Sequence, residues 1–270
     1  MERLENNMEI GILGVGNMGG AILNGIVSNG LYKKEDILLY IHSLDKLNQY
    51  KELGYNVTND VEDLYKDTKI ILLGIKPQMF EEVLKDSHKY DFKDRCIITI
   101  AAGLTIKYVS KFFKNGYVVR CMPNTPAKIG RGVTTVCAND ITNPFFKTTL
   151  DIFNSIGVAL EIEENKMDES LPLNGSMPAY LFYFAKCFID KAVKEGIDYE
   201  VAKNLCLETI KSSADLVLAS NDSIDTLISN VCSKGGTTIA GLNQLYDNGF
   251  DIAIDKCSEA CTKRSKELCK

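Results

Sequence analysis

The chain has 270 residues, of which 45% are hydrophobic and 25% charged, so it can bury the core of one large domain or two moderate ones. Its formal net charge of −5 leaves no basic field to gather phosphate backbones or anionic lipid, so neither nucleic acid nor a membrane is expected as a partner. The apolar runs are too short to span a bilayer, and the polar, acidic start at residues 1–8 is unlike a secretory signal.

Nine cysteines and two histidines restrict the chemistry that we expect. The cysteines are scattered, odd in number and form no C-x-x-C pair, which favours reduced thiols in the cytoplasm over a disulfide framework. Cys257, Cys261 and Cys269 share a helical face, but no histidine or fourth ligand lies near them, so we expect no metal site. His42 and His88 stand in no nucleophile motif, so the reaction is expected to proceed without an imidazole base.

The first half of the chain alternates short apolar runs with helical stretches. Strands are predicted at residues 9–13, 37–41, 69–75, 96–101, 117–121, 133–138 and 158–162. Helices are predicted at 17–29, at 44–53 and between the last two strands. This alternation predicts an α/β fold, with a parallel-type sheet covered by helices on both faces.

The alternation stops near residue 163, and from Met167 onward only helical periodicity remains. We therefore predict a first domain at 1–163 and an all-α domain at 164–270. One helix of the second domain is apolar beyond a single face, through Leu181, Phe182, Phe184, Ala185, Phe188, Ile189, Ala192 and Val193. Such a helix is buried on several sides, and in so short a segment another subunit is the favoured cover. An internal core helix is the alternative.

A dinucleotide-binding motif, G-x-G-x-x-G, follows the first strand and opens the first helix. Gly14 permits the tight turn, Gly16 lets a pyrophosphate approach the backbone, and Gly19 lets helix and strand pack closely. The helix N-terminus then offers N–H groups to the phosphates. The residues assigned to a cofactor here are Gly14, Gly16, Asn17, Met18 and Gly19. A tight turn without a ligand is the alternative.

The end of the second strand distinguishes the two nicotinamide cofactors. An NAD site usually has Asp or Glu there, but the strand tip lacks an acid and Asp45 is expected in the first turn of the next helix. His42, Ser43 and Lys46 are assigned to a 2′-phosphate, which favours NADPH. No arginine is present, so NADH stays open as an alternative. Ser43 is also the expected N-cap.

Three further segments follow buried strands at the edge where open α/β sheets bind ligands. They are Gly74-Ile75-Lys76-Pro77, Ala101-Ala102-Gly103 and Met122-Pro123-Asn124-Thr125-Pro126. Each alone is more often an ordinary loop, but together they outline a crevice. The residues added to the cofactor site are Ile75, Lys76, Pro77, Ala101 and Asn124.

A second glycine-rich segment, at 233–242, predicts a helix N-terminus with exposed N–H groups. Such a terminus binds a carboxylate without a cationic side chain. The residues assigned to a substrate are Ser233, Gly235, Gly236, Thr237 and Thr238. A simple Ser/Thr helix cap is the alternative.

Taken together, these segments resemble one family, the pyrroline-5-carboxylate reductases. The resemblance covers nearly the whole chain, and its most specific parts are M-P-N-T-P at 122–126 and G-G-T-T-I at 235–239. It implies a Rossmann domain followed by a helical dimerisation domain, with a homodimer or a ring of dimers. Asn174, Met177 and Lys234 depart from the family's usual serine, small residue and proline, which leaves a shifted substrate range open.

The resemblance implies reduction of (S)-1-pyrroline-5-carboxylate to L-proline, the last step of proline synthesis. Backbone N–H groups of residues 236–238, with Ser233, are assigned to the substrate carboxylate, and Thr238 to its ring nitrogen as the catalytic contact. Two alternatives remain. One is a related imine or β-hydroxyacid reductase, for which Lys186 or Lys191 would be the catalytic lysine. The other is a non-catalytic paralogue that binds nucleotide.

Overall fold

The computed structural model describes residues 8–268. The chain forms two compact units, one reaching Ser176 and including the chain from Cys261 onward, the other comprising Met177–Ala260. The chain before Met8, and Cys269, lie outside the described residues, and with them the expectations that the sequence raised for both.

Eight strands of the first unit form one sheet, in the order β3-β2-β1-β4-β5-β6-β7-β8. The strands are β1 (Met8–Leu13), β2 (Ile37–Tyr40), β3 (Asn56–Thr58), β4 (Thr68–Leu73), β5 (Cys96–Thr99), β6 (Tyr117–Pro123), β7 (Gly132–Ala138) and β8 (Gly157–Glu161). The order of the first six is that of dinucleotide-binding sheets, so the predicted Rossmann class is confirmed.

Two features of the sheet differ from the prediction. The strands β6 and β7 are antiparallel, whereas all other neighbours are parallel. The link between them is a 3₁₀ turn, Thr125–Ile129, followed by Gly130 at φ 69°, which is too short for the crossover that a parallel pair needs. The other difference is β3, a strand that was not predicted. Its three residues are half-buried, and they are too few to show the alternation of apolar and polar residues that marks a strand.

Both faces of the sheet are covered. The helices of the first unit are α1 (Asn17–Ser28), α2 (Leu44–Glu52), α3 (Val61–Asp67), α4 (Phe80–Val83), α5 (Ile106–Val109), α6 (Pro144–Asn154) and α7 (Met167–Ser170). Successive side chains of β4 point to opposite faces of the sheet and pack into two different hydrophobic clusters. Ile71 and Leu73 belong to one cluster, and Ile70 and Leu72 belong to the other. Burial on both faces explains why these strands are continuous apolar runs in the sequence.

The remaining helices are α8 (Met177–Lys194), α9 (Tyr199–Ala219), α10 (Ile224–Val231), α11 (Thr237–Asp247) and α12 (Phe250–Leu268). Residues 167–268 contain no strand, as predicted. Within that range, no helix combines the length and apolar character needed to cross a membrane, and the same holds for the rest of residues 8–268.

The first compact unit extends past residue 163, and the domain boundary that the sequence placed there stays a prediction. The segment up to Ser176 and the end of α12 both belong to the first unit. Ser265 donates to Asp168 Oδ1 at 2.6 Å, and Lys266 pairs with Glu169 at 2.8 Å. These contacts join residues far apart in sequence, so no local pattern marks them.

The helical unit exposes many large apolar side chains within a single chain. In α8, Ala185 and Ile189 are buried with Ala202 of α9. The aromatic residues of the predicted stripe are not buried in the same way, and Phe182 and Phe188 are exposed. The internal-core alternative therefore accounts for only part of the stripe. Further exposed residues lie on α9 and α10, among them Val201, Leu205, Leu216, Leu218, Ile224 and Val231. Exposure of this many large apolar side chains is typical of a chain that forms a subunit interface.

We expect Leu205→Glu to dissociate the assembly without unfolding the chain. Leu205 is 61% exposed in the single chain, so a carboxylate there is solvated in a monomer. In an interface it is unpaired and desolvated, which costs about 3–5 kcal/mol, or more than about a hundredfold in dissociation constant. Sedimentation velocity measures the shift from dimer or larger species to monomer.

The matched control is Leu53→Glu, at an exposed leucine that ends α2 in the first unit. This variant should sediment like the wild type. A wild-type chain that is a stable, active monomer at assay concentration would contradict the prediction, and so would equal behaviour of the two variants.

Candidate cofactor and substrate site

The turn after β1 holds three glycines whose surroundings differ. Gly14 has φ 99°, in the region that favours glycine. A Cβ on Gly19 would lie 2.1 Å from the carbonyl oxygen of Gly14, so helix and strand touch through backbone. A Cβ on Gly16 would meet nothing within 4 Å, so the space above this residue is open. Gly16 caps α1, whose first N–H groups, including those of Asn17 and Met18, lack partners within the helix.

A fourth glycine, Gly74, completes this turn, and the sequence reasoning gave it no such role. Its N–H donates to the carbonyl oxygen of Leu13 at 2.8 Å. A Cβ on Gly74 would lie 2.6 Å from the carbonyl oxygen of Gly14. The end of β4 therefore holds the Gly14 turn from the side opposite α1. The only sequence signal was a glycine at the end of a buried strand.

The predicted 2′-phosphate residues follow β2. Ser43 is the N-cap of α2 and Asp45 lies in the first turn of that helix, both as predicted. The Ser43 side chain makes no capping hydrogen bond, so its hydroxyl is not used by the helix. His42, Ser43 and Lys46 are all exposed, and Lys46 forms no ion pair within residues 8–268. The chain after β2 therefore offers the Lys46 ammonium group and the Ser43 hydroxyl, at the position where an NAD-specific site usually has an Asp or Glu.

The other predicted cofactor residues also lie at the carboxyl edge of the parallel strands. Ile75 is half-buried after β4, and the exposed Lys76 precedes the 3₁₀ turn that begins at Pro77. Ala101 is buried after β5, and its N–H donates to Thr99 Oγ1 at 3.2 Å. The structure therefore brings these segments to one edge of the sheet, as the sequence implied.

Asn124 follows β6 at the same edge, but its side chain is already engaged. Its Oδ1 accepts from the N–H of Val133 at 2.9 Å, and its Nδ2 donates to the carbonyl oxygen of Asn174 at 3.4 Å. Both polar groups of the Asn124 side chain therefore already have a partner in the protein.

Arg120 of β6 is a buried cation to which the sequence analysis assigned no role. It pairs with Glu164 at 3.4 Å and with Asp168 at 3.8 Å. Glu164 also accepts from the N–H of Ile106 at 2.7 Å. With both carboxylates beside it, Arg120 connects the sheet to α7 and to the turn before it, and it is not an open anion site.

The second glycine-rich segment lies in the helical unit. Gly235 has φ 71°, and Gly236 is the N-cap of α11. The helix has no side-chain cap, so the Ser/Thr-cap alternative is wrong. Thr237 and Thr238 are exposed, and no hydrogen bond of their hydroxyls is found in the described part of the chain.

One detail of the predicted carboxylate site needs correction. The N–H of Gly236 donates to the carbonyl oxygen of Ser233 at 2.9 Å, so it is not available. Among residues 8–268, no acceptor is found for the N–H groups of Thr237, Thr238 and Ile239, and the intrahelical bonds begin at Ala240. The open donors are thus displaced by one residue from the predicted 236–238.

The described residues give little support for a metal site, a reactive thiol or a lysine base. They contain no group of three or more His, Cys, Asp or Glu that could hold a metal. Burial raises the pKa of the Cys96 and Cys137 thiols to about 12, so both stay protonated at neutral pH. The exposed Lys186 pairs with Asp190, whose carboxylate raises the pKa of the lysine. A lysine base requires the opposite shift, and Lys191 is likewise paired with Glu195.

The comparisons with known proteins agree with this geometry. The model for pyrroline-5-carboxylate reductase dimerisation matches residues 164–268, and that for NADP oxidoreductase coenzyme F420-dependent matches residues 9–103. The pyrroline-5-carboxylate reductase of Escherichia coli (strain K12) is 32% identical over 97% of this chain and 98% of its own. This chain belongs to the pyrroline-5-carboxylate reductase family.

Other members of the family support the assignment over the full length. Pyrroline-5-carboxylate reductase 2 of Bacillus subtilis (strain 168) is 35% identical over 96% of this chain and 95% of its own. The crystal structure of Plasmodium falciparum pyrroline carboxylate reductase, with NADP bound, superposes with a TM-score of 0.84 at 33% identity. It covers 98% of this chain and 99% of its own. The predicted order, a Rossmann domain before a helical dimerisation domain, is thus that of the family.

The two glycines of the turn should separate cofactor binding from folding. We expect Gly16→Ala to keep the melting temperature, because its methyl group meets no atom, and to weaken NADPH binding by about tenfold or more. Gly19→Ala should lower the melting temperature as well, because its Cβ would collide with backbone. Thermal melts and fluorescence titrations with NADPH measure both effects. Unchanged NADPH affinity in Gly16→Ala would show that no pyrophosphate approaches this residue.

Proposed function

We propose that this chain reduces (S)-1-pyrroline-5-carboxylate to L-proline with NADPH, the last step of proline biosynthesis. The observation that carries the proposal is the N-terminus of α11. It offers three N–H groups without acceptors in residues 8–268, and it is flanked by two exposed threonines. The same chain also carries a dinucleotide-binding turn at Gly14–Gly19. The names of full-length relatives support the same substrate.

The substrate carboxylate is assigned to the N–H groups of Thr237, Thr238 and Ile239. Oriented backbone N–H groups and the positive end of the helix dipole bind an anion without a cationic side chain. The flexible Gly235 lets the chain turn into the helix, and the exposed hydroxyl of Ser233 stands at the same turn. An acidic substrate fits this site better than a neutral imine.

The Thr238 hydroxyl is assigned to the ring nitrogen of the substrate. When bound, the reduced nicotinamide supplies the hydride that adds to the imine carbon, C5. A protonated imine is electrophilic enough that the chain needs no metal or strong base. What Thr238 contributes is orientation, because a neutral threonine hydroxyl is a poor acid. The two exposed threonines carry different roles in this scheme, which makes the scheme testable.

The Gly14–Gly19 turn fits a dinucleotide, since a Cβ on Gly16 would occupy the open space above it. NADPH is the proposed cofactor, with NADH as the alternative. The support is the missing acid after β2 and the exposed His42, Ser43 and Lys46 in its place. The P. falciparum structure, which holds NADP, agrees.

Lys46→Ala should raise the KM for NADPH by about fivefold and change that for NADH little, because one exposed cation contributes about 1 kcal/mol to an added phosphate charge. Initial rates with each cofactor give the comparison. Lys51→Ala, in the last turn of the same helix, is the matched control and should affect neither cofactor. Equal losses with both cofactors in Lys46→Ala would show that Lys46 does not read the phosphate.

The same proposal includes assembly and location. The exposed apolar residues of α8–α10 and the dimerisation match support a homodimer, and a ring of dimers is the larger assembly that we propose. The described cysteines are all free, which supports a reducing compartment such as the cytoplasm.

The chemistry itself is tested at Thr238. Thr238→Ala should lower kcat/KM by roughly tenfold to a hundredfold, the effect of losing one polar contact of about 1–3 kcal/mol, and leave NADPH binding nearly intact. Thr238→Ser keeps the hydroxyl and should recover most of the activity. The assay follows the loss of NADPH absorbance with pyrroline-5-carboxylate.

Thr237→Ala is the control for Thr238→Ala. Neither hydroxyl caps the helix, so both alanine variants should keep the melting temperature of the wild type. Only the variant at Thr238 should lose turnover. An unchanged kcat/KM in a folded Thr238→Ala protein would refute the role of this hydroxyl. If the wild-type protein does not oxidise NADPH in the presence of pyrroline-5-carboxylate, the proposed function is refuted.

A further inference from the structure

We propose that Asn174 is a positioning residue of the reductase site, which acts by fixing Met122–Asn124. This segment, called the loop below, comprises the last two residues of β6 and the residue that follows them. The inference rests on the proposed function. Asn174 is 3% exposed and stands two residues before the first compact unit ends at Ser176. It touches no catalytic group named above, so its effect passes through the loop.

The loop that Asn174 holds belongs to the nicotinamide half of the crevice. In a sheet of the order 3-2-1-4-5-6, each half receives one mononucleotide, and the phosphate turn after β1 marks the middle. The strands β4, β5 and β6 form the second half. The backbone of Met122–Asn124 therefore stands where the reduced ring and its hydride are expected, on the opposite half from His42, Ser43 and Lys46.

Asn174 forms hydrogen bonds with this loop on both sides of Pro123. Its Nδ2 donates to the carbonyl oxygen of Met122 at 2.6 Å, and its own carbonyl oxygen accepts from Asn124 Nδ2 at 3.4 Å. Asn124 in turn accepts from the N–H of Val133 at the start of β7. Pro123 has no N–H to offer the ladder with β7, so side-chain contacts take over where the backbone pairing ends.

The chemistry of Asn174 argues against a role in packing alone. Its Oδ1 is buried and has no hydrogen-bond partner in the described part of the chain. An unsatisfied buried oxygen is destabilising, and an apolar side chain of similar size would avoid it. The amide is therefore retained for what its Nδ2 does, which is to hold Met122.

The test is a single-turnover experiment with Asn174→Ser. The protein, saturated with NADPH, is mixed with excess pyrroline-5-carboxylate in a stopped-flow instrument, and NADPH oxidation gives a rate constant and an amplitude. We expect the rate constant to fall about tenfold or more, because small misplacement of the ring is costly for hydride transfer. The NADPH affinity should change less than about threefold, because the Gly14–Gly19 turn still binds the pyrophosphate.

The control is Asn56→Ser at the amino end of β3, on the opposite edge of the sheet. Asn56 Nδ2 also donates to a backbone carbonyl oxygen, that of Glu35, at 2.8 Å. This variant loses the same kind of bond, so it should lower the melting temperature and leave the rate constant unchanged. A structural role of Asn174 would give the same pattern, a lower melting temperature or amplitude with a wild-type rate constant. That result would overturn the proposal.

Two further measurements keep the proposal testable. If Asn174→Ser does not fold, Asn124→Asp replaces it, since it keeps an acceptor for Val133 and puts a carboxylate oxygen, which cannot donate, opposite the carbonyl oxygen of Asn174. A smaller fall of the same rate constant supports the proposal, and none overturns it. If the wild type does not reduce pyrroline-5-carboxylate, the proposed function fails independently. The fluorescence lifetime of bound NADPH then reports the ring environment, and equal lifetimes in wild type and Asn174→Ser overturn the positioning role.

Discussion

Three pieces of backbone meet at the carbonyl oxygen of Gly14, and the nucleotide half of the molecule depends on that contact. The positions where Gly19 and Gly74 would carry a Cβ lie 2.1 and 2.6 Å from this oxygen. The turn after β1, the start of α1 and the end of β4 are therefore in van der Waals contact without any side chain between them. This close approach fixes the helix N-terminus against the sheet and leaves the space above Gly16 open.

The carboxyl edge of the sheet is held by two further kinds of contact. Arg120, buried between Glu164 and Asp168, connects β6 to α7 and to the turn before it. Asn124 and Asn174 join the loop after β6 to β7 and to the residues that precede α8. Neither pair supplies chemistry directly. Both connect the edge of the sheet to segments distant in sequence, and the rate of a hydride transfer depends on the distance and angle between donor and acceptor.

The helical unit follows a different principle. Its α11 presents open backbone donors at Thr237 and Thr238, while α8 and α9 share only a small core around Ala185 and Ile189. A single chain thus leaves much apolar surface uncovered, and the family's dimerisation match indicates what covers it. The helix terminus that we propose for the acid and the turn that we propose for the dinucleotide are carried by separate compact units of one chain, so separate substitutions can test each assignment.

The sequence by itself determined the fold class, the strand–turn–helix around Gly16 and the segment around Thr238, because each depends on a local period or on glycines close together in the chain. It did not reveal the antiparallel β7, whose direction follows from a turn at Gly130 too short for a crossover. Only the tertiary structure decided the roles of Gly74, Arg120 and Asn174. Each acts on a partner distant in sequence, and no local pattern records which distant atoms a backbone or a buried side chain will meet.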